Sequence, residues 1–122
     1  MGLKLGRNVG LGEVLIDILE DDDLSEVMDF SGWRGQSESI TIDGPGALTG
    51  TVKVQVSNSM EDLDEFGNST WFDKQSSGAD ITVPSDGSVT IKDVNFKRLR
   101  LASASAETAD RRFKIRGREA AS

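Results

Sequence analysis

Cysteine and histidine are both missing from this 122-residue chain, and each absence closes off a class of chemistry. Without cysteine there is no disulfide, no thiol nucleophile and no thiolate metal site. Without histidine the usual general base and the commonest zinc ligand are gone. An enzyme built from this sequence would have to work with carboxylates, Lys, Ser or Thr, as carboxylate-only enzymes do. Aromatic residues make up only 6%, so the core has to be mostly aliphatic. No stretch approaches 18 apolar residues, and the opening Met1-Gly2-Leu3-Lys4-Leu5-Gly6-Arg7 does not lead into a signal-peptide core. Neither a membrane partner nor secretion is therefore expected, and the lack of cysteine suits a reducing cytoplasm.

What is present is enough for one domain. The hydrophobic share, 36%, is too high for a disordered chain. The net charge of −7 is unevenly spread. Residues 1–66 carry 14 Asp or Glu against 4 Lys or Arg, and residues 67–122 carry 7 against 10. The pattern suits either a solvated surface or a molecule with one acidic and one basic face, able to pack against copies of itself.

The first stretch reads two ways. Leu11, Val14, Leu15, Ile18 and Leu19 form one helical stripe, while Val14, Ile16 and Ile18 alternate as in a strand. The acids Glu20 to Asp23 would sit badly at a helix C-terminus. Residues 1–24 are read as an N-terminal arm holding a short helix or strand, with Leu15, Ile16 and Ile18 as anchors for a neighbouring chain.

From Val27 the period is two. Ile40 and Ile42, then Val52, Val54 and Val56, alternate with polar residues, and Gly44-Pro45-Gly46 lies between them. This predicts a hairpin over 38–56. Residues 57–69 read as a polar loop. Further strands follow at Trp71-Phe72, Ile81–Val83 and Val89–Ile91, the last two separated by Pro84 and the turn Ser85-Asp86-Gly87. Leu99 and Leu101 share a face opposite Arg98 and Arg100. Phe96 is out of phase with them, which a β-bulge near Lys97 would repair. The last strand turns Phe113 and Ile115 inward and Arg112, Lys114 and Arg116 outward. Seven or eight short strands at regular spacing predict an all-β, antiparallel β-sandwich, jelly-roll or immunoglobulin-like, over 25–118, with a frayed tail over 119–122.

No motif carries chemistry. The acidic runs at 20–29 and 61–65 do not match a calcium loop, and solvated charge is the better reading, so no metal or other cofactor is expected. Asp73, Lys74 and the serines fit no catalytic signature. Lys97, Arg98, Arg100, Arg111, Arg112, Lys114, Arg116 and Arg118 lie on the last two strands; if these pair, one sheet face is basic. A pI near 4.5 and the lack of interleaved aromatics argue against nucleic acid and for a protein contact. Trp33, between two glycines, suits a core position or a sugar-stacking platform equally; Trp71 suits the core.

The order Gly50-Thr51-Val52, Val54, Ser57-Asn58, then Thr70-Trp71, then Phe96, Leu99-Arg100-Leu101 resembles small β-sandwich structural proteins of tailed bacteriophages. It is also similar to galactose-binding or discoidin-like sandwiches. The resemblance spans roughly residues 30–116 and marks strands and turns only. It implies a non-enzymatic virion protein, assembled in the host cytoplasm. Its expected role is head decoration or cement, held to a major capsid protein or other virion proteins and to copies of itself. The arm lies outside the resemblance, which carries over no binding residues; Leu15, Ile16, Ile18, Trp33, Arg98, Arg100, Arg112, Lys114 and Arg116 are candidate contacts from their own chemistry and placement. A neck or tail connector, or a carbohydrate-binding module, are the alternatives.

Overall fold

A computed structural model describes residues 3–5, 13–30, 37–92 and 94–119. The strands, in chain order, are β1 (Leu3–Leu5), β2 (Glu13–Ile18), β3 (Val27–Asp29) and β4 (Ser37–Asp43). Then come β5 (Val52–Ser57), β6 (Phe72–Asp73), β7 (Gln75–Ser76) and β8 (Ala79–Asp80). The last are β9 (Thr82–Val83), β10 (Ser88–Ile91), β11 (Arg98–Ser103) and β12 (Arg111–Glu119). No helix occurs among the described residues, and the chain is an all-β sandwich.

One sheet runs β10-β4-β12-β2. The other runs β1-β3-β11-β5-β6, with β9 also on β5. Every pairing is antiparallel except that of β1 with β3. From β2 to β5, and again from β9 to β12, each strand lies in the opposite sheet from the one before it. With β6 and β9 as two halves of one edge strand, β2-β12-β4-β10 faces β3-β11-β5-β9, which is the strand order of a jelly roll.

Alternation built this core. Ile16, Ile18, Ile40, Ile42, Ile91, Phe113 and Ile115 of one sheet meet Met28, Val52, Val54, Val56, Leu99 and Leu101 of the other, all essentially without exposed surface. Each such side chain contributes roughly 1.5–3 kcal/mol on burial. Phe96 needs no bulge. The β11 register on β5 runs unbroken from Arg98 to Ser103, and Phe96 precedes it, edge-on to Phe30 at 5.3 Å.

Two expectations give way to the topology. The predicted hairpin over 38–56 does not form. Here β4 pairs with β10 and β12 while β5 pairs with β11, so the turn at Gly44-Pro45-Gly46 carries the chain from one sheet to the other. An alternating strand looks the same whichever sheet it joins.

The boundary expected at residue 24 has no counterpart in the packing either. Strand β2 lies against β12 from Ile18↔Arg111 to Glu13↔Arg116. Beyond it, the Ser25 N–H donates to the Leu101 carbonyl. The period-two reading of Val14, Ile16 and Ile18 prevails because β12 offers Phe113 and Ile115 on the same inner face. The acids after it make a turn, in which Asp21 adopts φ 72°, a conformation Asp tolerates better than most side chains.

Candidate interaction surface

The anticipated contact residues scatter. Ile16 and Ile18 are wholly buried in the core and offer nothing to a neighbour; of the three arm anchors only Leu15 faces outward, at 43% exposure. Trp33 lies outside the described residues. The two basic strands do not pair, because β11 and β12 belong to different sheets.

Each face also mixes its charges. Arg112 grips Asp17 through Nε and Nη2 at 2.9 and 3.1 Å, and Arg116 Nη2 reaches Asp43 at 2.9 Å. Lys114 sits between Leu15 and Asp43 in the strand register. No continuous basic face results.

Arg98 is buried, at 5% exposure, on the outer side of its sheet. Its Nε donates to the Ser59 carbonyl at 2.8 Å, and its Nη1 lies 3.0 Å from Asp62. Its Nη2 is buried without a hydrogen-bond partner, but the Trp71 ring centroid lies 4.7 Å from Cζ, so the π face is the electron-rich surface beside it. Arg100 lies 4.3 Å from the same centroid and donates from Nε to Gln55, its cross-strand partner. Trp71 is thus buried, but against the two guanidiniums and not in the inter-sheet core. Its Nε1–H donates to Asp62, and this bond, with Arg98 and Arg100 nearby, holds the Asp62 carboxyl below the usual range.

These contacts fasten the loop between β5 and β6. Within it the Asp64 carboxylate accepts from the N–H groups of Phe66 and Asn68 at 2.8 and 2.9 Å, an Asx-type cap. The Asp64 N–H donates to the Asn68 carbonyl and that of Gly67 to the Asp64 carbonyl, while Gly67 takes φ 83°. Leu63 bridges Ser69, and the Thr70 N–H donates to the Asp62 carbonyl.

So built, the loop turns apolar side chains outward. Phe66 is 78% exposed and Leu63 56%, with Met60 nearly half exposed. Glu61 and Glu65 are exposed beside them, and residues 58–70 carry no Lys or Arg. A groove of about 360 Å³ lies beside the loop's base, lined by residues including Leu24, Val27, Asp62 and Arg100.

Comparison with protein-family models, curated proteins and solved structures finds no match. Among the described residues, no group of three or more carboxylates is placed to hold a metal ion, and no helix is long and apolar enough to cross a membrane.

Sequence reasoning passed over this loop because Ser, Asn, Asp and Glu dominate it, and composition alone reads it as solvated. The available signals were Phe66-Gly67-Asn68, a turn with an aromatic at its edge, and Asp64 two residues before Phe66. Nor did it find Glu107. This carboxylate is wholly buried and accepts from the Thr49 and Gly50 N–H groups, the Ser103 hydroxyl and Arg111 Nε at 2.7–3.1 Å. Its own backbone N–H donates to the Asp22 carbonyl, and its carbonyl accepts from the Asp21 N–H. A glutamate inside Ala-Ser-Ala-Ser-Ala-Glu-Thr-Ala gives no hint of this.

Proposed function

We propose that this is a non-enzymatic protein that docks onto another protein chain, and that its setting is a virus particle, where it decorates or cements the head. The observation that carries the docking reading is the loop at 58–70. Its backbone is held by internal hydrogen bonds and by the Trp71–Arg98–Asp62 cluster, yet it presents Phe66, Leu63 and Met60 to solvent. Large exposed apolar groups invite unwanted association and are kept where binding uses them. A pre-ordered loop loses little entropy on binding, and an aromatic at its tip is the kind of anchor that dominates interfaces. Glu61 and Glu65 beside it favour a partner pocket rimmed by Lys or Arg.

The virion setting is supported by the strand-and-turn resemblance to phage structural proteins. It also fits the jelly-roll order, an architecture used in viral capsid and lectin domains. That second support is fold analogy alone. On a lattice, many copies of a modest interface would add up to substantial stabilisation. A neck or tail connector would use the same surface. For a carbohydrate module, Trp71 offers little, because only 9% of its surface is exposed.

The test uses particles that lack the protein, with purified protein added back and occupancy read by electron microscopy and co-sedimentation. Wild type is expected to fill its sites and Phe66→Ser with Leu63→Ser to lose at least tenfold in occupancy, with melting temperature unchanged. If the double variant binds as well as wild type, the loop is not the docking element. If wild type does not bind particles at all, the virion setting is wrong.

A further inference from the structure

The edge strand of the larger sheet is broken in a way the core does not require. Strand β6 pairs with Gln55 and Val56, and β9 pairs with Val52 and Lys53, so the two halves continue one another along β5. Between them the chain leaves the edge. The Lys74 N–H still donates to the Val54 carbonyl, the Ile81 N–H closes back on the Lys74 carbonyl, and residues 75–80 form the two-stranded excursion β7–β8. Its tip, Ser77-Gly78, has positive φ at both residues, 54° and 84°, as a tight two-residue hairpin requires. Irregularities of this kind at sheet edges commonly re-aim side chains at a site.

The excursion walls a pocket of about 370 Å³ against the edge strand β10 of the other sheet. Lys74, Gln75, Ser76, Ser77 and Ile81 line one side, and Thr90, Ile91 and Lys92 the other. The volume lies within the range of small-ligand sites. In a chain of net charge −7 the described residues of this lining include two lysines and no carboxylate. The carboxylates that flank the hairpin are engaged elsewhere. Asp80 lies 2.9 Å and Asp73 3.8 Å from Lys53 Nζ, while Gln75 Nε2 donates to Asp80. Among the described residues neither Lys74 nor Lys92 has an ion-pair partner. Lys74 Nζ is positioned 5.8 Å from the Phe96 ring centroid. The Ser76 and Ser77 hydroxyls supply further donors, that of Thr90 being paired with Thr41 at 3.1 Å, and the buried Ile81 and Ile91 complete the lining.

We propose that this pocket binds a small polar ligand through an oxyanion, phosphate or carboxylate, whose charge is met by Lys74 and Lys92. The site is independent of the docking loop. The experiment is an amide NMR titration of the full chain with glucose 6-phosphate, glucuronate and neutral glucose. Resonances of residues 74–77 and 90–92 are expected to move with one or both anions and not with glucose. Response to the phosphate alone would identify a phosphoryl ligand, and response to both a general oxyanion site. Lys74→Met with Lys92→Met should weaken binding at least tenfold, and Lys92→Met, at an exposed position, should weaken it alone without altering the spectrum elsewhere. Equal binding of glucose, shifts spread over lysines and arginines across the surface, undiminished binding by either variant, or no response to any of the three would each overturn the proposal.

Discussion

Glu107 is the residue on which three loops converge, those at 20–23, 49–51 and 103–108. Burial opposes its charged form. The Ser103 hydroxyl, the Thr49 and Gly50 N–H groups and the Arg111 guanidinium together outweigh that and lower its carboxyl to about 2. A group depressed in the folded state contributes its full stability above its unfolded value, near 4.5, and loses it as pH falls toward about 2. Wild type is therefore expected to lose about 3 kcal/mol from this group alone across that window. Glu107→Ala should cost about 3–5 kcal/mol at neutral pH, because donors are left buried and unanswered. It should also flatten the acid limb of a denaturant-midpoint-versus-pH curve. An acid limb as steep as wild type would contradict the assignment. The core offers a simpler case at the same scale. Phe113, wholly buried near the start of β12, should cost about 3–5 kcal/mol when replaced by Ala, measured by chemical denaturation.

Among the elements, β2 decides how the N-terminal region behaves. Deleting residues 1–24 removes Ile16 and Ile18 from the core and strips β12 of one of its two partner strands along six residue pairs. The truncated chain is expected to lack a cooperative unfolding transition by circular dichroism. A folded truncation would mean that β2 is dispensable to the fold. The β5–β6 loop behaves in the opposite way. Phe66 contributes little to the fold, so Phe66→Ser should change the melting temperature by less than about 2 °C, equivalent to a few tenths of a kcal/mol. Asp64→Ala, by contrast, removes the acceptor for two loop N–H groups. It should release the loop, seen as faster amide exchange at Phe66 and Asn68, and weaken docking even with Phe66 in place.

Across the whole molecule, part of the uneven charge of the sequence is met within the chain. Asp17, Asp43 and Asp62 of the acidic half meet Arg112, Arg116 and Arg98 of the basic half. These pairs hold the two halves together within one copy. The Arg112–Asp17 pair is exposed on the arginine side, so Arg112→Ala should leave the denaturation midpoint close to that of wild type. Sedimentation profiles at low and high salt are expected to superimpose; a species that dissociates as salt rises would show charge pairing between copies.

The sequence by itself determined the all-β class, most strand positions and the inward set of Ile, Val, Leu and Phe, because side-chain alternation is a local property that burial then enforces. Phe113 and Ile115 could be placed that way without a structure. Tertiary structure alone decided which strands are neighbours. That put Ile16 and Ile18 in the core, placed β4 and β5 in opposite sheets and set Arg98 and Arg100 against Trp71. It also brought Glu107 under three loops and placed Lys74 and Lys92 on opposite walls of one pocket. Those outcomes depend on contacts between residues far apart in the chain, and an alternating pattern carries no label for its partner. The loop at 58–70 shows the same limit, because its polar residues are hydrogen-bonded to one another and leave Phe66 to the solvent.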